Sequence, residues 1–228
     1  MKGSTQASPY LVAVASVFVT ALVVANIIAV KIASFGRDFY LPAAVIVFPV
    51  SYIVGDVLTE VYGYRLARKV IWIGFGCNLL AVGAIWAGQQ LPSAPFWTDQ
   101  GAYEHILGYA PRLLGASFVG YLAGEFSNSM VLSRMKVLTD RRFLWSRTIT
   151  STIIGEGLDS ALFISIAFAG TIPRGELAEM IYRQWSFKVV YEIVATPVTY
   201  LVVGWLKRVE GVDVLDTGVN LSPVAVWE

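Results

Sequence analysis

The sequence has almost no cysteine or histidine, the residues that build disulfides and zinc centres. Its 228 residues include one cysteine, Cys77, and one histidine, His105. A single cysteine excludes an intrachain disulfide, and a zinc site would need a cluster of cysteine or histidine side chains. No glycine-rich loop that would cradle a phosphate is present, which excludes ATP hydrolysis by this chain. We therefore expect neither a metal nor a cofactor.

Charge is scarce as well, because only 14% of the residues are charged, whereas soluble domains contain about a quarter. By contrast, 56% of the residues are hydrophobic, and the mean hydropathy is +0.64. Six apolar segments reach the roughly 20 residues that a helix needs to cross a bilayer. They lie near 10–31, 41–62, 69–89, 112–132, 148–170 and 187–206. The composition predicts an all-α integral membrane protein, with residues 1–228 in a single polytopic domain.

The basic residues indicate the orientation of the chain, because Lys and Arg resist translocation. With six helices and both termini inside, eleven Lys and Arg residues lie in cytoplasmic segments and five in outer segments. This bias predicts cytoplasmic termini. The first apolar segment is uncharged from Tyr10 to Val30, which is too long for the apolar core of a signal peptide, so we expect it to be retained.

Only two parts of the chain outside these segments have any size. Residues 90–111 form an outer loop, in which Tyr103 and Ile106 indicate a short helix lying in the membrane interface. A lid over an outward-facing cavity is the alternative for this loop. The tail after Arg208 is short and mildly acidic, and we expect it to be solvated.

Carboxylates occur inside the apolar segments. The stretch FPVSYIVGDVLTEVYGY, residues 48–64, places Asp56 and Glu60 on one helical face by their i, i+4 spacing. Later segments hold Glu125, Glu156, Asp159 and Glu192. A charge at mid-bilayer costs about 3 kcal/mol on insertion scales, so such residues face a partner or a wet cavity. The one intramembrane base, Lys188, lies a helical turn before Glu192, and we expect these two to form a structural ion pair.

The other five acids are then short of cations, and two roles would explain them. They can bridge neighbouring helices through hydrogen bonds, or they can line a cavity that receives a polar solute. For any single acid, the sequence favours neither the helix-bridging role nor the cavity-lining role. For the set, a functional cavity explains more, because Ser, Thr and Gly hold helices together at lower cost.

An internal sequence repeat indicates where that cavity lies. SYIVGDVL, residues 51–58, resembles STIIGEGL, residues 151–158, so Asp56 corresponds to Glu156. A weaker echo pairs Asn26 with Asn128. A repeating unit of three helices would make the second copy run the opposite way through the membrane. Such inverted repeats are frequent in transporters, whose substrate site lies near mid-bilayer where the copies meet.

Intramembrane proteolysis is the enzymatic alternative, and the sequence disfavours it. A rhomboid-like protease needs a serine and a histidine in the membrane, but His105 lies in the outer loop. A presenilin-like protease needs two intramembrane aspartates, which Asp56 and Asp159 could supply. Its GxGD motif is absent, since residues 53–56 read IVGD. We therefore expect that the protein is not an enzyme.

Several blocks of the sequence carry a family resemblance. They are FPVSYIVGDVLTEVYGY, RTITSTIIGEGLDSALFISIAF, KVVYEIVATPVTYLVVGWLK, ANIIAVKI and PSAPFW. Together they resemble the queuosine precursor transporter family, earlier described as vitamin uptake transporters, and the GDxLTEVYG block is the most specific. The resemblance implies a carrier in the bacterial inner (plasma) membrane. It would import 7-cyano-7-deazaguanine and 7-aminomethyl-7-deazaguanine for tRNA modification.

The intramembrane carboxylates suit the solute that the resemblance implies. A 7-deazaguanine presents adjacent N–H donors, and a carboxylate accepts such bonds with about twice the strength of a neutral acceptor. The flat ring would pack on aromatic side chains, for which the candidates are Phe48, Tyr52, Tyr62, Trp72, Phe126 and Tyr191. The candidate substrate-binding residues are Asp56, Glu60, Glu125, Asn128, Glu156, Asp159, Asn26 and Tyr52.

Two modes of operation remain open at this point. The chain can be a self-sufficient secondary carrier, or it can be the substrate-binding subunit of an energy-coupling-factor importer, whose subunits also have six helices. Its expected partners are the 7-deazaguanine solute and membrane lipid, with no nucleic acid, and a homodimer stays open. The sequence does not identify the preferred precursor or the driving force.

Overall fold

The structure is a computed structural model that describes residues 8–34, 40–108, 111–170 and 173–225. Within these ranges most of the chain is helical. The helices are α1 (Pro9–Ile28), α2 (Phe48–Val57), α3 (Tyr64–Gln89), α4 (Gln100–Leu107), α5 (Pro111–Leu138), α6 (Leu144–Phe168) and α7 (Arg174–Glu210). A 3-10 turn spans Ala43–Ile46 and a π-helical turn spans Leu58–Tyr62. Two short antiparallel strands, β1 (Ile32–Ser34) and β2 (Tyr40–Pro42), pair with Ala33 opposite Leu41.

Four of the described helices, α1, α3, α6 and α7, are long and apolar enough to span a membrane. The predicted segment 112–132 lies inside α5, and the predicted segment 41–62 covers the 3-10 turn, α2 and the π turn. The all-α membrane class is therefore confirmed, while six spans and an inverted repeat stay predictions. Helix α7 has 37 residues and begins well before residue 187. At 1.5 Å per residue it is about 55 Å long, which exceeds the hydrocarbon core of a bilayer.

The first and last long helices meet at their ends. The Ser8 side chain caps α1 by accepting hydrogen bonds from the backbone N–H groups of Tyr10 and Leu11, at 3.1 and 3.5 Å. Its hydroxyl also donates to the carboxylate of Glu210, the last residue of α7. The start of α1 and the end of α7 therefore lie at the same end of the bundle, which we call the tail end.

Glycines allow α5 and α6 to approach very closely. A Cβ atom on Gly124 would lie 2.7 Å from the Cβ of Asp159, and one on Gly155 would lie 2.7 Å from the Cβ of Asn128. Helices in membranes associate through such small residues because lipid supplies no hydrophobic drive between them. The close packing brings Asn128 of α5 next to the α6 turn that carries Glu156 and Asp159.

The apolar core lies nearer the tail end of the bundle. Its buried residues come from α1, α2, the π turn, α3, α5, α6 and α7, and include Phe18, Val57, Leu58, Val61, Tyr64, Ile71, Phe126 and Leu206. Residues 211–225, which we call the tail, pack against it through Val212, Val219 and Leu221. The expectation that the tail is simply solvated is therefore wrong. The tail begins at Gly211, which ends α7 in the left-handed conformation with a φ of 66°.

Candidate functional site

Polar side chains inside the bundle form two clusters. We call the first the central cluster: it contains Tyr52, Asp56, Glu125, Asn128, Glu156, Asp159, Lys188 and Glu192. The second surrounds Glu60 near the tail end, and we call it the Glu60 cluster: its members are Glu60, Lys136, Arg147, Lys207 and Asp213. Of the predicted substrate-binding residues, the structure places Glu60 in the second cluster and Asn26 outside both.

Asp56 and Asn128 form the hydrogen-bonded pair at the centre of the first cluster. The Asn128 Nδ2 group donates to Asp56 Oδ1 at 2.7 Å, and the two side chains are only 4% and 1% exposed, respectively. Asp56 Oδ2 and Asn128 Oδ1 are also buried, and neither has a hydrogen-bond partner in the described parts of the chain. The pair therefore presents two unused acceptor oxygens in a region where an unsatisfied polar group is costly.

Lys188 of α7 is bound across the helix interface to α6. Its ammonium donates to Glu156 Oε2 at 2.6 Å and also to Asp159 Oδ2. It lies 5.4 Å from the centre of the Tyr52 ring, within the range of a cation–π contact. The sequence spacing suggested Glu192 as its partner, whereas these contacts are with two acids of another helix. Glu156 and Asp159 are spaced i, i+3, so both point from α6 towards the same lysine.

Glu125 and Glu192 complete the acidic lining of the central cluster. Each is almost fully buried, and each has one carboxylate oxygen, Oε1, that has no hydrogen-bond partner among the described residues. Glu125 Oε1 would lie 2.5 Å from a Cβ atom on Gly55, so this carboxylate packs beside the residue that precedes Asp56. Across the described residues, the central cluster then holds five carboxyl groups and one ammonium group. Protons, donor groups or a bound solute must supply the remaining compensation.

Glu60 is surrounded by cations. Its carboxylate accepts from Arg147 Nε and Nη2 at 2.8 and 2.7 Å and from Lys207 Nζ at 2.6 Å. Lys136 Nζ lies 3.6 Å from Glu60 Oε1 and donates to the Glu60 carbonyl. The sequence predicted a shared face for Glu60 and Asp56, but the π turn that contains Glu60 widens the helix and shifts its register. These contacts join the π turn to α5, α6 and α7.

The Glu60 cluster extends to the tail through Asp213. Asp213 Oδ1 lies 2.6 Å from Lys136 Nζ and 2.9 Å from Lys207 Nζ. Asp213 Oδ2 lies 3.5 Å from Arg141 Nε. Burial acts to raise the pKa of Asp213, but the hydrogen bonds from Lys136 and Lys207 outweigh it and lower the pKa below its usual 3.8. From the sequence, these basic residues predict only the orientation of the chain. Nothing in their spacing indicates that they converge on one glutamate.

The remaining candidate residues occupy varied positions. Asn26 Nδ2 donates to the Leu22 carbonyl at 3.1 Å, and Ser117 Oγ donates to Asn26 Oδ1 at 3.4 Å, so Asn26 connects α1 with α5. Among the aromatic candidates, Tyr52 contacts the central cluster, Trp72 and Phe126 pack on each other, the Tyr62 hydroxyl is buried, and Tyr191 is exposed. The side chain of Phe48 lies outside those that the structure describes.

Most of the central cluster is buried in this structure, while the Asp159 side chain is 20% exposed. Asp56, Glu125, Asn128, Glu156 and Glu192 are each at most 5% exposed. A cavity of about 320 Å³ lies instead at the outer loop, where Leu91, Phe96, Trp97 and Tyr103 contribute to its lining. Among the described residues, no three His, Cys, Asp or Glu side chains are grouped so that they could hold a metal ion. A solute can therefore contact the Asp56–Asn128 pair only after helices move apart.

Comparison with known proteins gives consistent matches. A family model described as "Putative vitamin uptake transporter" matches residues 42–202. The "Probable queuosine precursor transporter" of Bacillus subtilis (strain 168) is 29% identical over 147 residues, which is 64% of this chain and 64% of the relative. The "Queuosine precursor transporter" of Escherichia coli (strain K12) is 28% identical over 151 residues, 64% of this chain and 65% of the relative. The chain thus matches just under two thirds of each relative's length. No solved structure matches it.

Proposed function

The chain belongs to this vitamin uptake transporter family, and from that membership we propose that it is a membrane carrier for queuosine precursors of the 7-deazaguanine class. Three observations support the proposal. Two relatives are named as queuosine precursor transporters. Several helices are long and apolar enough to span a membrane. A polar cluster with unused acceptor oxygens is buried between the helices.

The Asp56–Asn128 pair is the observation that carries the proposal. A 7-deazaguanine has a ring N–H and an exocyclic amino group side by side on its pyrimidine edge. Asp56 Oδ2 and Asn128 Oδ1 are two buried acceptors belonging to side chains joined by a 2.7 Å hydrogen bond. A donor-rich, uncharged edge would satisfy both oxygens at once, and the bond to the carboxylate would be charge-assisted.

The remaining residues of the central cluster then have distinct roles in our assignment. Tyr52 offers an aromatic face for the ring of the solute. Lys188 lies 5.4 Å from the centre of the Tyr52 ring and forms ion pairs with Glu156 and Asp159. Glu125 and Glu192 provide further acceptors for the substituents of the solute or for protons. Glu60 and Asn26 hold helices together outside the binding site.

We further propose that the chain works as a self-sufficient secondary carrier in the bacterial inner membrane, with cytoplasmic termini. Both relatives are named as transporters rather than as subunits of an importer. The sequence also contains no phosphate-binding loop, so energy from ATP would require a second protein.

Reconstitution of the purified chain in liposomes without ATP tests both parts of the proposal. Radiolabelled 7-cyano-7-deazaguanine and 7-aminomethyl-7-deazaguanine should enter vesicles that contain the protein and should not enter empty vesicles. An excess of unlabelled precursor should block the uptake. Binding without transport would favour the energy-coupling-factor arrangement, and the absence of both binding and transport would contradict the proposed solute class.

A further inference from the structure

The tail is attached to the bundle through specific polar contacts, not only through apolar packing. The backbone N–H of Val214 donates to the Val61 carbonyl in the π turn at 3.2 Å. Asp216 Oδ2 accepts from the backbone N–H of Tyr64 at 2.9 Å and from Ser133 Oγ of α5 at 2.6 Å. The tail therefore joins the π turn, the start of α3 and the end of α5.

Gly63 makes room for this attachment. Its φ is 83°, a backbone conformation that residues other than glycine rarely adopt. A Cβ atom at this position would also lie 2.7 Å from Val214 Cγ1 and 2.8 Å from Asp216 Oδ1. Both the backbone and the space at Gly63 thus fit a docked tail.

The second half of the tail satisfies a buried arginine. Arg68 of α3 is 0% exposed, and its Nη1 group donates to the carbonyls of Asn220 and Ser222, each at 2.8 Å. Trp72 Nε1 donates to the Pro223 carbonyl at 2.8 Å. If the tail left, a buried guanidinium would lose its carbonyl acceptors, which is costly. The tail is therefore an integral part of this closed arrangement.

The first half of the tail completes the ion pairs that close the tail end. Glu60 of the π turn, Lys136 of α5, Arg147 of α6 and Lys207 of α7 hold four elements together. Asp213 of the tail binds the same two lysines. For the central cluster to open towards the tail end, these elements must separate.

The bonds of Asp213 are the weakest part of this closure. The Asp213 side chain is 33% exposed and that of Arg141 is 48% exposed, whereas the Glu60 and Arg147 side chains are at most 1% exposed. Exposed ion pairs are screened by water and salt, and buried pairs are screened much less. The Asp213 pairs can therefore break before the buried Glu60–Arg147 pair does.

We propose that residues 211–225 form a latch that keeps the tail end of the bundle closed, and that release of this latch precedes opening of the central cluster towards the cytoplasm. The latch lies beyond the residues 42–202 that match the family model. Its role in solute release rests on the proposed transport function, while its effect on accessibility does not.

The accessibility of a single cysteine tests the latch without any solute. Thr148 of α6 is fully buried one residue after Arg147. In a Cys77→Ser background, Thr148→Cys should react slowly with an impermeant maleimide applied to inside-out vesicles. Adding Asp213→Asn and Asp216→Asn should raise the labelling rate on the order of tenfold, since two charge-assisted attachments are lost.

The matched control is Asp140→Asn, which changes an exposed acid between α5 and α6 that has no ion pair in the part of the chain that the structure describes. It should leave the labelling rate unchanged. Equal labelling with and without the two tail substitutions, in protein that elutes as a single folded species, would overturn the latch.

A reversible crosslink tests the same idea from the opposite direction. Ser133 Oγ and Asp216 Oδ2 are 2.6 Å apart, so a short bifunctional methanethiosulfonate should link Ser133→Cys to Asp216→Cys and fix the tail. Crosslinking should then keep Thr148→Cys unreactive and stop transport, and reduction should reverse both effects, with labelling of position 148 read from its own peptide. Ser93→Cys with Gln100→Cys, at an outer-loop contact of 3.0 Å, is the control crosslink and should change neither.

Maleimide labelling tests the latch, and solute uptake tests the proposed transport function, so the two proposals can fail separately. If wild-type vesicles fail to take up a 7-deazaguanine but the crosslink and the tail substitutions still change labelling, the latch stands and the proposed function does not. If uptake proceeds at the normal rate through fully crosslinked protein, the latch is wrong and the proposed function stands.

Discussion

Two acceptor oxygens at the centre of the bundle, Asp56 Oδ2 and Asn128 Oδ1, decide which solutes the proposed site accepts. Both are buried and lack a hydrogen-bond partner in the described chain, so a solute with two adjacent donors fits them better than one with acceptors. Asn128 Nδ2 already donates to Asp56 Oδ1. The other carboxylate oxygen of Asp56 is therefore the one that faces the solute in our proposal.

The variant Asp56→Asn tests this assignment. Because Asn128 donates to Oδ1, the new amide keeps its oxygen there and turns its NH₂ group towards the donors of the solute. Loss of a charge-assisted bond costs about 1.5–3 kcal/mol, so the affinity for a 7-deazaguanine should fall about tenfold to a hundredfold. Titration calorimetry measures the affinity, with the exposed outer-loop variant Asp99→Asn as the control. Wild-type affinity in Asp56→Asn would make this aspartate a purely structural residue.

Lys188 provides a second prediction at the same scale. Lys188→Ala leaves the buried Glu156 and the partly exposed Asp159 without their cation, and breaking a buried pair costs about 3–5 kcal/mol. The level of folded protein in the membrane should fall. Adding Glu156→Gln and Asp159→Asn should partly restore it, because the unpaired charges are then removed.

The control for this restoration of the Lys188→Ala protein level is the added substitution Glu192→Gln. It removes the acid that the i, i+4 spacing in α7 suggested as the partner of Lys188. We expect it to leave the level of Lys188→Ala low. Rescue by Glu192→Gln alone would show that Lys188 depends on its own helix after all. Fluorescence-detected size-exclusion chromatography of solubilised membranes measures all of these levels.

At the scale of elements, the seam between α5 and α6 positions the site. Gly155→Ala would place a Cβ 2.7 Å from the Asn128 Cβ and 2.7 Å from the Gly124 carbonyl oxygen, so the two helices must move apart. Overpacking of this kind costs about 1–3 kcal/mol. We expect a lower melting temperature and weaker solute binding, because Asn128 lies at the contact. Gly83→Ala in α3, where no atom lies within 4 Å of the new Cβ, should leave both unchanged.

The tail is a second element whose attachment we expect to depend on pH. Lys136, Lys207 and Arg141 face Asp213, and bonds from the two lysines hold the pKa of Asp213 below 3.8. A lowered carboxyl pKa stabilises the folded state above the unfolded value of about 3.9, and this stabilisation disappears as the pH falls through the folded pKa. At pH 6 the melting temperature of wild-type protein should therefore be higher than that of Asp213→Asn, and this difference should disappear at lower pH. A difference that stays constant down to pH 3 would rule out an ionised Asp213 as the cause.

At the scale of the whole molecule, the contact between Ser8 and Glu210 places the ends of α1 and α7 together. The positive-inside bias predicts that this end is cytoplasmic. Tags at Gly3 and after Glu228 should both be protected in intact cells. Gln100→Cys in a Cys77→Ser background should react with an impermeant thiol reagent from outside. Termini on opposite sides of the membrane would contradict the six-span prediction.

The sequence by itself determined that the chain is all-α with long apolar helices and that acids occur within the apolar segments. Apolar runs of about 20 residues can be recognised without any tertiary contact, because each helix satisfies its own backbone hydrogen bonds. The predicted segments 69–89 and 148–170 thus lie close to α3 and α6. The presence of Asp56 and Glu156 in such segments was equally visible.

Only the tertiary structure decided which groups those acids meet. Lys188 binds Glu156 and Asp159 because α6 and α7 pack side by side, and Glu60 binds Arg147 because a π turn changes the direction of its side chain. The tail docks because carbonyls far along the chain fit a buried arginine, Arg68. Spacing along one helix fixes which side chains share a face, but the partner on that face comes from how separate helices pack.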